Sequence, residues 1–291
     1  ADKPDIRDYA YSVTNKIQPN IVDLRQYCSP IENQGQLGSC TGNAIAGAIE
    51  LLNKRSNNPK DVSRLFIYYY ERLLEGTVNY DSGAYIRDGI KATYKYGASL
   101  ESLWPYDITR FRYMPNPTAV TDGARRKVTL YERVDNHQGC LDAITNGYPV
   151  TIGFYVYSSF ETNKVATTGI MPYPDTRRER LLGGHAVALV GYDDSTQRFT
   201  AKNSWGTGWG DNGYFYMPYQ VIKNTNMSDI NDKLKEHMNN NDFKYLDINI
   251  NQKKIHYCYE YNIDKDIFIL NNKLDNKLDN KLDNFKVKQI P

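Results

Sequence analysis

The sequence predicts an α+β fold with two lobes and a cleft between them. In the first half of the chain, apolar residues recur at the three-four spacing of a buried helix face, as from Ala44 to Leu52. From Tyr131 onward, runs rich in β-branched and aromatic residues dominate, and Asp193–Ser195 has the composition of a hairpin turn. Because the first half is mainly helical and the second mainly strand, we expect two lobes.

Four segments follow from changes in composition along the chain. Residues 1–21 form an N-terminal extension, expected to lie extended on the body, and residues 22–130 form the helical lobe. Residues 131–226 form the β-rich lobe. Residues 227–291 form a C-terminal extension rich in Asn, Lys and Asp, whose repeated Lys-Leu-Asp-Asn end is predicted to be disordered. Within it, alternation from Ile255 to Ile263 indicates a strand.

Individual elements are predicted from apolar spacing and from glycine stops. The predicted helices are one that begins near Cys40 and runs to Leu52, one over Ser63–Leu74 before Gly76, one with Ile86 and Ile90 before Gly97, and a short one near Leu141–Asn146 before Gly147. The predicted strands are Val150–Tyr157, His185–Tyr192, Arg198–Asn203 and Tyr214–Met217, with a short strand or turn at Val22–Arg25.

Composition narrows the classes of partner. The chain has 291 residues, 40% of them hydrophobic, and no apolar run long enough to span a bilayer, so we expect a soluble protein with a sizeable core. Its formal net charge of +2 gives no reason to expect nucleic acid or a membrane surface as a partner.

Cys40 lies where a glycine-containing loop meets the first predicted helix. The unpaired N–H groups and the positive dipole end of a helix N-terminus favour an anion, so a thiol at this place is biased toward the thiolate. A lone cysteine is more often only a small core residue, so further positions are needed to decide.

Two further positions, His185 and Asn203, help to decide between these interpretations of Cys40. His185 follows a pair of glycines and precedes an apolar run, which predicts a strand start beside an edge or cleft. Asn203 opens a loop that contains two tryptophans and four glycines, a costly composition that indicates a sharply bent backbone covered by flat rings. His185 lies 145 residues after Cys40 and Asn203 another 18 on, the order and spacing of papain-like peptidases.

The chain resembles the papain (cathepsin) family of cysteine peptidases from about Val22 to Met217. The resemblance implies a helical left lobe and an antiparallel β-barrel right lobe, with the active site in the cleft. The matching motifs are Gln34-Gly-Gln-Leu-Gly-Ser-Cys40, Gly184-His185-Ala186-Val187, Asn203-Ser-Trp-Gly with the following Trp209-Gly and Gly213-Tyr, and Trp104-Pro105-Tyr106, which resembles the family's aromatic-Pro-Tyr element near the non-primed subsites.

The resemblance implies a role for each matching residue. Cys40 would be the nucleophile, with its thiolate stabilised by an imidazolium at His185, which would then protonate the leaving amine and activate the deacylating water. Asn203 would orient the imidazole. Gln34 would donate a side-chain N–H to the oxyanion hole, beside the backbone N–H of Cys40.

Substrate binding is implied for a second set of residues. Trp205 would cover the bond between His185 and Asn203. Gly83, aligned to within one position, resembles the glycine on which the substrate backbone pairs as an added strand. Its neighbour Ser82 and the motif residue Gly184 are included in the predicted substrate-binding set.

The chain departs from the family pattern on both sides of the nucleophile. Papain-like enzymes generally carry a Cys three residues before it and an aromatic residue just after it, where this chain has Leu37 and Thr41. The disulfide that uses the earlier Cys cannot form here, which resembles the disulfide-poor papain-like peptidases of microbes and large viruses. A reducing compartment or a virion is favoured, and a lysosome-like compartment stays open.

We therefore predict a cysteine endopeptidase that acts through an acyl-thioester, since the chain has no His-His loop like that of cathepsin B. Two alternatives stay open: an acyl-transferase or peptide ligase on the same fold, and a catalytically silent binding protein. The expected partners are polypeptide substrates, with a proteinaceous inhibitor or residues 1–21 as possible occupants of the cleft, and we expect a monomer.

We expect no cofactor and no metal. His137 precedes Cys140 by three residues and His256 precedes Cys258 by two, which invites comparison with zinc sites. Zinc sites usually show tighter paired spacings, so we do not favour this interpretation.

Overall fold

The computed structural model describes residues 11–14, 17–134, 136–223 and 267–271. In chain order, the helices are α1 (Cys40–Arg55), α2 (Arg64–Glu75), α3 (Ile86–Lys95), α4 (Pro117–Ala124), α5 (His137–Thr145), α6 (Asn163–Thr168) and α7 (Gln220–Lys223). The strands are β1 (Ile21–Asp23), β2 (Leu130–Arg133), β3 (Val150–Tyr157), β4 (Leu181–Asp193), β5 (Arg198–Lys202), β6 (Tyr214–Pro218) and β7 (Ile267–Asn271).

The first three helices confirm the prediction from apolar spacing. α1 begins at Cys40, and its own residues are buried from Cys40 to Leu52. α2 begins after Ser63, whose hydroxyl accepts a hydrogen bond from the Phe66 N–H at 3.1 Å. It ends at Gly76, which takes the left-handed conformation with φ 73° that glycine adopts without steric cost.

All the described strands belong to one antiparallel sheet. The order along the sheet is β2-β7-β3-β4-β5-β6, and β1 pairs with the end of β4 at Gly191–Asp193. The outer strands β2 and β6 do not pair with each other among the described residues, so the sheet is open. The expected α+β fold is present, but the described strands do not close into the expected β-barrel.

Helices cover the sheet, which explains why closure is not needed to bury it. Residues His185–Tyr192 of β4 are buried one after another, which requires cover on both faces of the strand. Both α1 and α5 pack against β3 and β4. The first helix therefore lies directly against the strand that carries His185.

His185 lies inside its strand, whereas the sequence predicted it at a strand start. β4 begins at Leu181 because its first residues continue the pairing with the end of β3, and His185 is opposite Phe154. On the other side, pairing with β5 begins only at Ala188. On the side that faces β5, β4 is therefore an unpaired edge at His185. Asn203, which follows β5, contacts His185 at this edge.

The described part of the N-terminal extension lies on the sheet and on α5. Tyr11 donates its backbone N–H to Arg133 at 2.8 Å, and its hydroxyl to Asp142 of α5 at 2.6 Å. Farther on, β1 pairs with β4 up to Asp193, eight residues beyond His185. Eight residues of extended strand span roughly 25 Å, so this contact lies far from the imidazole.

Part of the C-terminal extension belongs to the sheet. β7 pairs with β2 on one side and with β3 on the other. The predicted strand at Ile255–Ile263 and the repeats predicted to be disordered lie outside the described residues. None of the helices in the described segments has the length and apolar character needed to cross a membrane.

Candidate active site

The thiol of Cys40 lies at the start of α1, with only 6% of the residue exposed. Ser39 precedes it, but the Ser39 hydroxyl bonds to the Tyr106 hydroxyl and accepts from the Asn43 amide at 3.1 Å. Its side chain therefore does not cap the amides of the first turn. Cys40 is the first residue of α1, and the positive end of a helix dipole favours a thiolate over a thiol there.

The imidazole of His185 is hydrogen-bonded to Asn203, which follows β5. His185 Nε2 lies 2.7 Å from Asn203 Oδ1, and the same oxygen accepts the Ser204 N–H at 2.9 Å. Because that backbone N–H is a donor, the atom facing it must be the amide oxygen. An amide oxygen only accepts, so Nε2 carries a proton and Nδ1 is the ring nitrogen that exchanges one with a reacting group.

Aromatic rings enclose the imidazole. Trp205 stacks on His185 with a centroid distance of 4.7 Å and an interplanar angle of 29°, and Phe154 meets it edge-on at 5.8 Å. Burial lowers the pKa of His185 to about 4, although the Asn203 hydrogen bond acts in the opposite direction. The surroundings of the ring alone therefore favour neutral imidazole over the imidazolium that the sequence led us to expect.

Gln34 is joined to the same loop. The Ser204 hydroxyl donates to Gln34 Oε1 at 2.7 Å, and the Gln34 backbone N–H donates to the Ser204 carbonyl at 2.9 Å. Gln34 Nε2 donates one proton to the Leu37 carbonyl at 3.0 Å. A primary amide nitrogen has two protons, so a second remains to bind a developing oxyanion.

A small cavity connects the start of α1 with these groups. It is lined by Asn43 and Ala44 from α1, by Ala186 from β4, and by Asn203 and Ser204. Cys40, one turn before Ala44, belongs to the same apolar cluster as Ala186. The structure thus brings the first turn of α1, the strand of His185 and the loops of Gln34 and Asn203 to one place.

The predicted substrate-binding residues lie in two regions. Gly83 has a φ of 67° and donates its N–H to the Tyr68 hydroxyl at 3.2 Å, while the Ser82 hydroxyl donates to the Gly83 carbonyl at 3.0 Å. A substrate strand can use that N–H only by displacing Tyr68. Gly184 lies in β4 opposite Tyr155 of β3.

Three residues of this region had no role assigned to them from the sequence. Asp81 accepts from the Gly38 N–H with both carboxylate oxygens, at 3.0 and 3.1 Å, and Ser204 connects Gln34 to the Asn203 loop. Tyr106 donates its hydroxyl to the Gln34 carbonyl at 2.9 Å, beneath the nucleophile loop. Ser204 and Tyr106 lie within the matching motifs, and Asp81 is next to Ser82. This position in the sequence was the signal that could have pointed to them.

The cysteines and histidines considered for zinc have other surroundings. His137 packs between the rings of Phe199 and Tyr219, and burial lowers its pKa to about 4. Cys140 is a fully buried free thiol. Within the described segments no group of three or more His, Cys, Asp or Glu residues could hold a metal ion, and His256 and Cys258 lie outside those segments.

Comparisons with known proteins agree on one family. The model of the papain family of cysteine proteases matches residues 18–235. An uncharacterized peptidase C1-like protein of Acanthamoeba polyphaga mimivirus is 37% identical, over 86% of this chain and 93% of that protein. Papain from Carica papaya is 30% identical over 67% of this chain, and the alignment covers 54% of papain's curated sequence.

A solved structure extends this similarity to the fold. Xylellain, a cysteine protease from Xylella fastidiosa, superimposes with a TM-score of 0.69 at 38% sequence identity. The match covers 75% of this chain and 88% of xylellain.

Proposed function

Since the chain belongs to the papain family of cysteine proteases and is therefore a hydrolase of that type, we propose that it cleaves internal peptide bonds through an acyl-thioester at Cys40. One observation carries the assignment of residues. Hydrogen bonds run from His185 through Asn203 and Ser204 to Gln34, whose amide contacts the loop that leads into Cys40.

In the proposed acylation step, the Cys40 thiolate attacks the carbonyl carbon of the scissile bond and forms a C–S bond. The negative charge moves to the carbonyl oxygen, where the second Nε2 proton of Gln34 and the backbone N–H of Cys40 stabilise it. His185 Nδ1 then gives its proton to the leaving amine as the C–N bond breaks.

Deacylation reverses the direction of proton transfer. Neutral His185 accepts a proton from water at Nδ1, and the resulting hydroxide attacks the thioester carbon. The C–S bond breaks, the carboxylic acid leaves, and the thiolate and imidazolium are restored. Throughout, the bond to Asn203 holds the proton on Nε2, so Nδ1 stays available.

Burial of His185 makes the thiolate necessary for this scheme. Imidazolium in an aromatic enclosure is unfavourable unless a negative charge lies beside it, and the Cys40 thiolate is the charge that the mechanism supplies. The two groups therefore share one proton, and their titrations are coupled.

The test is active-site labelling combined with cleavage. An epoxide probe that alkylates activated thiols is expected to modify Cys40, identified by mass spectrometry, and wild-type enzyme is expected to cut peptide libraries at internal bonds. Cys40→Ala and His185→Ala should abolish both. Cys140→Ala is the matched control, because burial raises the pKa of that thiol and it should not react.

Opposite outcomes identify the alternatives. Purified protein that neither labels at Cys40 nor cleaves peptides would support a silent binding protein. Transfer of the acyl group to added amines in preference to water, seen by product analysis, would support a ligase on the same fold.

A further inference from the structure

Two loops that the proposed mechanism requires lie in direct contact. The nucleophile loop, residues 34–39, carries Gln34 and leads into Cys40, and the substrate loop, residues 78–83, carries Gly83. A Cβ atom on Gly38 would lie 3.0 Å from Asp81 Oδ1 and 3.5 Å from the Gly83 nitrogen.

Asp81 makes the polar contact between the two loops. Both of its carboxylate oxygens accept the backbone N–H of Gly38, at 3.0 and 3.1 Å. Gly38 lies two residues before Cys40, so this bond fixes the backbone just before the nucleophile. Hydrogen bonds to a carboxylate are about twice as strong as those between neutral groups.

Tyr68 of α2 connects Asp81 to the rest of the substrate loop. Its buried hydroxyl donates to Asp81 Oδ1 and accepts the Gly83 N–H at 3.2 Å. One oxygen atom thus touches both ends of the Asp81–Gly83 segment.

Arg72, also on α2, holds the remainder of the substrate loop. Its guanidinium lies 4.0 Å from the centroid of the Tyr68 ring and donates to the Val78 and Tyr80 carbonyls at 2.9 and 3.0 Å. The substrate loop is therefore attached to a buried helix, and Asp81 attaches the nucleophile loop to the substrate loop.

We propose that Asp81 is a positioning residue that holds the nucleophile loop against the substrate loop. This inference rests on the proposed function. It predicts that Asp81 sets the direction of the oxyanion donors in the nucleophile loop and their distance from a bound substrate. A displacement of about 1 Å at a reacting centre can reduce the rate about a hundredfold.

Two reagents separate positioning from a general structural effect. Iodoacetamide alkylates the Cys40 thiolate and needs neither the oxyanion donors nor the substrate loop. Peptide hydrolysis requires the thiolate, the oxyanion donors and the substrate loop together. Asp81→Ala should lower kcat/KM for a peptide about a hundredfold. The same variant should change the alkylation rate of Cys40 by less than about threefold, because the helix N-terminus and His185 still activate the thiol.

Two further variants complete the series. Asp81→Asn keeps an acceptor oxygen for the Gly38 N–H and should recover at least about tenfold of the lost kcat/KM, as expected for one retained hydrogen bond. Asp107→Ala is the matched control, because Asp107 is an exposed carboxylate that bonds only to nearby Thr109 among the contacts described for it. It should behave as wild type in both assays.

If Asp81→Ala does not fold, Tyr68→Phe tests the same arrangement, because it removes the hydroxyl that holds Asp81 Oδ1, and it should lower kcat more than it changes the alkylation rate of Cys40. Equal losses of alkylation and hydrolysis in Asp81→Ala, or wild-type hydrolysis in that variant, would overturn the proposal for Asp81 while leaving the peptidase assignment intact. A wild-type enzyme that does not react at Cys40 would instead overturn the proposed function itself, and the role of Asp81 with it.

Discussion

Burial of His185 disfavours its protonated form at neutral pH. The contacts described for its ring are with Asn203, Trp205 and Phe154, which are neutral groups. Burial in these surroundings lowers the pKa of His185 from 6.5 to about 4. In the mechanism that we propose, the imidazolium at neutral pH depends on the Cys40 thiolate, so loss of either charge removes the other.

Substitution of the thiol should reveal this dependence. In Cys40→Ala, we expect His185 to stay neutral down to a pH of about 4, which is the pKa that its burial gives. In the wild type, the Cys40 thiolate should raise that pKa by at least about one unit. NMR titration of the imidazole resonances measures both values. His137 serves as an internal reference because its low pKa arises from burial on α5 and should not change. An identical His185 titration in the two proteins would contradict the coupled pair.

The titration of Glu50, in α1, leads to a second prediction, which concerns the stability of the protein as a function of pH. Its carboxylate accepts the Val62 N–H at 2.9 Å, and burial raises its pKa from 4.5 to about 7 although Lys202 lowers it. Between these pH values the folded protein binds a proton that the unfolded chain releases, so this group makes the protein less stable as pH rises. The effect is at most about 1.4 kcal/mol per pH unit.

Glu50→Gln cannot titrate at this position, so its stability relative to wild type should improve between pH 4.5 and 7. Urea denaturation of both proteins at pH 5, 6 and 7 measures the difference. A difference in stability that stays constant across the three pH values would show that the Glu50 carboxyl has its ordinary pKa.

The crossing of α1 and α2 depends on a glycine. A Cβ atom on Gly42 would lie 2.8 Å from the Arg64 carbonyl oxygen and 3.3 Å from Tyr68 Cβ, so the helices would have to separate. Gly42→Ala should therefore destabilise the protein by about 1–3 kcal/mol.

Gly47→Ala, in the same helix, is the matched control for this crossing. Its Cβ would meet only the flexible Lys202 side chain, at 3.4 Å, and alanine favours helix by about 1 kcal/mol. Chemical denaturation should rank this variant at or above wild type and Gly42→Ala below it. Equal stabilities for the two variants would mean that the helices do not meet closely at Gly42.

At the level of the whole molecule, the described residues of the N-terminal extension are attached to α5 and to the sheet. Asp142 is fully buried in α5 and accepts hydrogen bonds from the hydroxyls of Tyr11 and Thr14, both at 2.6 Å. These contacts lie on the sheet side of the molecule, and β1 continues them to the far end of β4. The possible placement of residues 1–21 in the cleft as a pro-segment stays a prediction where the chain is not described.

Asp142→Ala should loosen this attachment without affecting catalysis. Loss of hydrogen bonds to a buried carboxylate is expected to cost about 2–3 kcal/mol in unfolding free energy. Urea denaturation measures that loss, and kcat/KM at 25 °C should equal the wild-type value because none of the contacts described for Asp142 involves a group assigned to catalysis. A stable variant with impaired hydrolysis would place the extension at the active site instead.

Much of the fold and of the site could be predicted from local patterns. The first three helices and the strand Val150–Tyr157 were predicted because the periodicity of apolar residues and the glycine stops are properties of neighbouring residues. Cys40, His185 and Asn203 were singled out by their motifs and their order. Their catalytic roles stay proposals, as do the boundaries of the two lobes.

Other features depend on contacts between distant parts of the chain. The open sheet, the position of β7 between β2 and β3, and the interior position of His185 in β4 follow from pairings that no local pattern specifies. Asp81 reaches Gly38 across 43 residues, and burial of His185 arises from rings on other elements. Sequence alone determined which residues can carry the chemistry, because residue type sets chemistry; only tertiary packing decided their hydrogen bonds and charge states, because those depend on neighbours in space.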